Sequence, residues 1–284
     1  MRTIKQQHRA ISAPIADLTT YRALPTASVE HIDPFLFLNH HGPQVYRPHN
    51  SGLPFGPHPH RGFETVTFIL DGDILHKDSG GHESVIEAGG IQWMTAGRGL
   101  IHAEVSSDSF KQTGGPLEIL QLWVNLPAKD KLTEPRYIGL QREEIPAVVL
   151  DEGRVTVHAV SGDWAGTAGA VQPLADVQLA WLDLQAGARV TLPVAAARSI
   201  FFYTVRGALR VNGADTNARQ LVEFNHDGDE LAIEATADAV LLLGHALPFG
   251  EPVVSYGPFV MNTEAEIQQA YRDYQRGDFG AWKE

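Results

Sequence analysis

At 284 residues the chain can hold one large or two modest domains, and 43% hydrophobic with 20% charged residues is the make-up of an ordinary soluble globular protein. Its 34 acidic against 22 basic residues leave a net charge of -12, a surface that repels phosphate backbones and argues against direct nucleic acid binding. It has no Cys, which excludes disulfides and thiolate metal sites, and no apolar run approaches the ~18 residues of a membrane span, so a cytoplasmic protein without a membrane partner is expected.

From the N-terminus, Met1 to Thr20 lacks the apolar stretch of a secretory leader. Asn39-His40-His41-Gly42 places two histidines where hydrogen bonding near a barrel mouth is a better reading than ligation. Pro57-His58-Pro59-His60-Arg61-Gly62-Phe63-Glu64 then sets two histidines at i and i+2, which share one face of an extended strand. Thr65–Leu70 follows as a strand, with Asp71-Gly72-Asp73 and Ser79-Gly80-Gly81 as turns. Gly97-Arg98-Gly99-Leu100-Ile101-His102-Ala103-Glu104 supplies a second pair of like parity, His102 and Glu104. A phosphate cradle is excluded there, because Gly97-x-Gly99 leads into a strand and not a helix.

Glu118–Val124, Arg154–Ser161, Gln178–Leu184, Ser199–Val205 and Val240–Leu243 are further strands, separated by turns such as Asn212-Gly213 and Asp227-Gly228-Asp229. Many short strands at this spacing predict an all-β barrel or sandwich. The charged, Pro-containing stretch Lys129–Pro146 reads as a linker. The one convincing helix is at the end. Thr263 and Glu266 form a capping box, Ile267, Ala270, Tyr271 and Tyr274 an apolar stripe, and Gly277 a C-cap.

The two halves repeat weakly. Thr67-Phe68-Ile69-Leu70-Asp71-Gly72-Asp73-Ile74 matches Phe202-Tyr203-Thr204-Val205-Arg206-Gly207-Ala208-Leu209 in pattern. Extending the match backwards sets His58 and His60 on Pro193 and Ala195, and a later match of Ala88-Gly89-Gly90 with Asp227-Gly228-Asp229 sets His102 and Glu104 on Leu241 and Leu243. The second half then keeps the fold without the chemistry.

Two strands of like parity lining one barrel would bring three imidazoles and a carboxylate to one point. Three neutral imidazoles and one carboxylate suit Fe(II), Mn(II), Ni(II), Cu(II) or Zn(II), and an octahedral ion would keep two positions open. Parity alone leaves the carboxylate undecided. Glu64, four residues after His60, would face the site as well, followed by Val66, Phe68 and Leu70 as an apolar wall suited to an aromatic ligand. His76, His82, His226 and His245 have spacings that build no site, and Trp93 and Trp123 read as core packing.

The two segments resemble the paired motifs of the cupin superfamily. The longer string from His58 to Thr67, with Gln92-Trp93-Met94-Thr95-Ala96-Gly97-Arg98-Gly99 before His102 and Glu104, closely resembles the pirin family. Asp33-Pro34-Phe35-Leu36, Glu251-Pro252-Val253 and Gly257-Pro258-Phe259-Val260-Met261-Asn262-Thr263 resemble that family's terminal signatures. The resemblance implies a bicupin, two jelly-roll-type β-barrels packed face to face with a short C-terminal helix. It divides the chain into a metal-binding barrel at 1–135, a linker at 136–146 and a ligand-free barrel at 147–284 that carries the helix.

It also implies one mononuclear metal, usually iron, held by His58, His60, His102 and Glu104. Glu64 becomes a carboxylate beyond the ligands, since Ser106 stands where the general cupin pattern would have Asn. The activity implied is that of a quercetin 2,3-dioxygenase, which opens a flavonol ring with dioxygen, with Glu104 as the base that takes the 3-hydroxyl proton. The competing implication is a redox-responsive iron protein that acts through protein partners. A monomer is expected, because a bicupin already pairs two barrels in one chain.

Overall fold

The computed structural model describes residues 1–283, which divide into two compact units. Strand formation follows the predicted runs. The segments expected from Thr65, Glu118, Arg154, Gln178, Ser199 and Val240 become strands Phe63–Asp71, Gly115–Asn125, Val155–Ser161, Val177–Leu184, Ser199–Arg206 and Ala239–Ala246. Among the described residues no helix is long and apolar enough to cross a membrane.

The site unit comprises Ser12–Tyr21, Phe37–Glu143 and the segment from Gly250. Its larger sheet runs in the order Arg136–Leu140, Ile91–Thr95, Phe63–Asp71, Gly115–Asn125, Phe35–Tyr46, Thr20–Leu24, Ile11–Ser12. Its smaller sheet runs Phe55–His60, Leu100–Val105, Asp73–Asp78, Glu83–Glu87. Leu53, Ile69, Ile74, Ile86, Phe110 and Ile119 pack in its core.

The second unit, Met1–Ile11, Arg22–Leu36 and Glu144–Phe249, has the same plan. Its larger sheet runs Ile4–Arg9, Gln220–Phe224, Ser199–Arg206, Ala239–Ala246, Val177–Leu184, Val155–Ser161, Ala147–Leu150. Its smaller sheet runs Arg189–Pro193, Glu230–Ala235, Ala208–Val211, Ala214–Asn217. Each unit is a jelly-roll-type barrel of two antiparallel sheets.

The order of strands departs from the sequence division in three places. Arg136–Leu140, expected as linker, pairs with Ile91–Thr95 as the edge strand of the site unit. Ile4–Arg9 takes the corresponding edge in the second unit by pairing with Gln220–Phe224. The C-terminal helix, expected with the second barrel, belongs to the site unit. An exposed sheet edge is completed by whichever segment reaches it, and composition along the chain does not show which one that is.

Within itself the helix forms as read. It spans Glu264–Gln275, Thr263 and Glu266 close the capping box, and Gly277 follows the Arg276 cap at a φ of 84°. A second, short helix, Asp108–Thr113, is capped by Ser107.

The repeat also shifts. Ala239–Ala246 occupies the place of Gly115–Asn125, while Glu230–Ala235 occupies that of Leu100–Val105. Leu241 and Leu243 therefore do not stand where His102 and Glu104 stand. The hairpin Ala208–Val211 with Ala214–Asn217 is shorter than Asp73–Asp78 with Glu83–Glu87, so the match of Ala88-Gly89-Gly90 with Asp227-Gly228-Asp229, which lengthens this stretch of the second half, slips by a strand. The residues actually in that strand, Leu231, Ile233 and Ala235, pack into the second core beside Leu192 and Val194.

The strand carrying His58 and His60 ends at His60, and the chain reverses through Arg61 and Gly62 into Phe63–Asp71. Gly62 has a φ of +88°, and a Cβ there would lie 2.0 Å from the Val260 carbonyl oxygen. Gly62→Ala should therefore cost at least about 2 kcal/mol in a denaturant titration, from strain and backbone clash together. A loss below about 0.5 kcal/mol would show that the turn can relax.

Candidate metal centre

Strands Phe55–His60 and Leu100–Val105 pair antiparallel, with His58 opposite His102 and His60 opposite Leu100. One ligand atom from each of His58, His60 and His102 lies within 4.8 Å of the other two. Ring centroids are 4.4 Å apart for His58 and His102, 4.8 Å for His58 and His60, and 5.0 Å for His60 and His102. His60 and His102 are buried and His58 is half-buried.

The tautomers of two of these rings follow from their partners. His58 Nδ1 lies 2.7 Å from the Gly56 carbonyl oxygen, and His60 Nδ1 3.2 Å from that of Pro258. A carbonyl only accepts, so Nδ1 donates in both rings and Nε2 keeps its lone pair. His102 has neither ring nitrogen hydrogen-bonded, although both are buried. Such a group costs about 1–3 kcal/mol unless something else satisfies it.

Burial, then the neighbouring His58 imidazole, pushes His60 down to about 3. Burial and the rings of His60, His58 and His76 hold His102 well below the usual histidine range. His60 and His102 are thus neutral at physiological pH, which is the state that coordinates a metal. Three lone-pair nitrogens without a thiolate fit a borderline divalent cation.

The two candidate carboxylates separate. Glu104 is buried beside the histidines, with Oε2 4.0 Å from His102 Nε2. Its Oε1 accepts from Thr67 Oγ1 at 3.0 Å and its Oε2 from Gln121 Nε2. Glu64 is also buried, but its Oε1 accepts from Thr95 Oγ1 at 2.6 Å, and desolvation raises its pKa despite that bond.

Glu64, Val66 and Phe68 alternate along the strand with Thr67, so they point away from the face that meets Glu104. The turn at Gly62 breaks the parity expected from His60. The aromatic wall beside His60 is made instead by Phe63 and Trp123, with ring centroids at 5.0 and 5.3 Å, and by Phe37 stacked on Trp123 at 4.5 Å. Trp123 thus packs directly against the site.

One histidine that the sequence reading set aside, His76, lies beside the cluster. His76 lies opposite Glu104 in the paired strand, its ring 5.5 Å from His102 and stacked on Tyr137 at 3.9 Å. Its Nε2 is 2.9 Å from Asp78 Oδ2. The i, i+2 spacing of His76 and Asp78 was a usable signal, since it matches that of His58 and His60.

The C-terminal segment contributes in a way no local pattern reveals. Arg61 pairs with Asp273 at 2.7 Å, lies over the Phe279 ring at 4.7 Å and donates from Nε to the Arg98 carbonyl at 2.6 Å. Buried Lys131 donates to the carbonyls of Gly62 and Val260 and to Asn125 Oδ1. His40 pairs with Glu118 at 2.7 Å, and His41 Nδ1 lies 2.9 Å from Thr20 Oγ1, so neither enters the histidine cluster. His41, Phe55, Thr67, Glu104 and Gln121 line a cavity of about 10 Å3, room for about one water.

Two family models match the chain, Pirin over residues 17–124 and the Pirin C-terminal cupin domain over residues 179–280. A pirin-like protein of Caulobacter vibrioides is 41% identical over 261 residues, covering 91% of each chain. Human pirin is 35% identical over 271 residues, covering 91% of this chain and 87% of its own. A crystal structure titled quercetin 2,3-dioxygenase from Acinetobacter baumannii superposes with a TM-score of 0.93 at 33% identity, covering 99% of both chains.

A histidine that titrates near 6.5 unfolded and near about 3 folded takes up its proton first in the unfolded state. Stability is therefore complete above pH 6.5 and falls as the pH drops toward about 3. Chelator-treated protein should lose about 1.4 kcal/mol per pH unit in that window for each such histidine, read from denaturant midpoints. Stability that stayed flat across the window in wild type, and matched a His60→Gln variant, would contradict the neutral cluster.

Proposed function

The chain belongs to the pirin family, and on that footing we propose that it is a metal-dependent, ring-opening dioxygenase acting on flavonols, of the quercetin 2,3-dioxygenase type. The observation that supports this most directly is the convergence of three imidazoles, His58, His60 and His102, next to the carboxylate of Glu104. In this reading those four side chains hold one divalent cation, Fe(II), with Mn, Ni, Cu and Zn as chemically competent substitutes. Bound there, the cation supplies a Lewis acid that lowers the pKa of the flavonol 3-hydroxyl and open positions for substrate and dioxygen.

The protein's own residues do the rest. Glu104 takes the 3-hydroxyl proton on Oε2, while Thr67 and Gln121 fix the carboxylate in place. The carbonyls of Gly56 and Pro258 hold the rings of His58 and His60 so that Nε2 faces inward. Trp123, half-buried and backed by Phe63, offers an aromatic surface for the flavonol rings. Because His58 alone of the three imidazoles is half-buried, substrate approaches from its side.

One observation favours a second reading. The cavity on the Glu104 side has only about 10 Å3, far from the space a flavonol needs. A tightly enclosed iron suits a redox-responsive regulator that acts through protein partners, where a one-electron change alters the buried charge by one unit.

Dioxygen uptake separates the two. Fe(II)-loaded protein should consume dioxygen when quercetin is added and release carbon monoxide, with His58→Ala losing at least about 100-fold. Glu104→Gln should retain metal and lose about 10²–10⁴-fold in kcat. Absence of quercetin-dependent uptake in metal-loaded protein would pass the site to the regulatory reading.

A further inference from the structure

The second barrel has no metal cluster among the described residues, yet its mouth is open. Matching Gly72 with Gly207, as the internal repeat does, sets Thr65 on Ile200. Trp123 is the cross-strand partner of Thr65, and His245 is the partner of Ile200. His245 therefore holds the place in the second barrel that Trp123 holds beside His60 in the first. At that position lies a cavity of about 770 Å3, well within the range of small-molecule sites.

The lining is largely apolar, with Val190, Leu192 and Val194 on one side and Trp164 on the other. Trp164 donates from Nε1 to the Ser161 carbonyl at 2.9 Å, so its remaining surface is apolar. Its ring centroid is 5.6 Å from that of His245.

Among the polar side chains that share the lining, His245 has a ring nitrogen to spare. Arg198 donates from Nε to His245 Nδ1 at 2.7 Å. A guanidinium only donates, so Nδ1 carries the lone pair and the proton sits on Nε2. Among the described residues Nε2 has no protein partner and it is not sealed from solvent, so this N–H is available to the cavity its ring lines. Burial, and after it the Arg198 charge, pushes His245 down to about 3, which keeps the ring neutral.

Most of the charges around the cavity are already paired. Arg198 is paired with Asp176, Arg189 with Glu234 at 3.0 Å, and Asp151 with Arg154 at 2.8 Å. Asp163 Oδ1 accepts from the Gly166 amide at 3.0 Å. An anionic ligand would have to break one of these pairs, whereas a neutral one would not.

We propose that the mouth of the second barrel binds a neutral, flat aromatic molecule carrying a carbonyl acceptor. The ring packs against Trp164 and the aliphatic wall, and the carbonyl accepts the His245 Nε2 proton. This site is independent of the chemistry proposed for the first barrel.

Coumarin serves as the probe, with naphthalene as the shape match lacking an acceptor and 2-naphthoate as the anionic match. Titrations followed by ligand-observed NMR use chelator-treated full-length protein, wild type and His58→Ala. Saturable one-to-one coumarin binding, equal in those two proteins, is expected, with both controls at least about tenfold weaker. His245→Leu should weaken coumarin by about tenfold or more. His245→Gln should keep wild-type binding, since its amide can accept from Arg198 and still present an N–H.

Thr191→Trp, an exposed position on the cavity wall that leaves the Arg198 pair untouched, should abolish binding by filling the space. Loss of binding in His58→Ala, binding unaffected by both His245→Leu and Thr191→Trp, or no saturable coumarin binding in wild type would each overturn the proposal.

Discussion

His60 must present one imidazole nitrogen to the site while the chain reverses within two residues, and the architecture of the site unit follows from that demand. The reversal needs Gly62 in a left-handed conformation pressed against the Val260 carbonyl, so the turn and the strand Phe259–Met261 can exist only together. Lys131 closes the arrangement by donating to both carbonyls at once. Arg61, between the histidine and the glycine, is tied to Asp273 and Phe279. The Pro258 carbonyl then fixes the tautomer of His60 from a position 198 residues further along the chain. The C-terminal segment is thus the outer support of the metal centre.

This explains which parts of the molecule could be read from sequence. Strands and the capped helix depend on neighbours within a few residues, and there the patterns at Phe63–Asp71 or Thr263-x-x-Glu266 suffice. The histidine cluster was legible for the same reason, because i, i+2 parity within a strand is local. Parity failed for Glu64 because a turn intervened, and Gly62 was the visible sign of it. The edge strands Ile4–Arg9 and Arg136–Leu140, and the placing of the C-terminal helix, depend on partners far along the chain. Charge and proline content made Lys129–Pro146 look like a linker, although Arg136–Leu140 within it pairs in a sheet and Lys131 is buried.

Electrostatics at the site are arranged around neutrality. His60 and His102 are kept uncharged by burial and by the neighbouring imidazoles, and Glu104 is held by two neutral donors, a hydroxyl and an amide, not by a cation. A cation entering this site would be the one positive charge facing Glu104 at close range, with no arginine or lysine to compete among the hydrogen-bond partners found for that carboxylate. Low local dielectric makes that attraction strong and makes the unbonded nitrogens of His102 costly until they are used. Affinity for a metal and discomfort without it have the same origin.

The two barrels show how one scaffold separates such demands. In the first, polar groups face inward on the smaller sheet, and the turn after His60 needs support from a distant segment. In the second, the equivalent strand packs Leu231, Ile233 and Ala235 into an apolar core. The polarity has moved to the rim, where Arg198, Asp176 and His245 satisfy one another and leave a single N–H over. Where Trp123 fills the first mouth against His60, the smaller His245 leaves the second mouth open. A barrel without such a cluster has no group of converging imidazoles to keep neutral, and its interior can be closed by hydrophobic packing while its mouth stays accessible.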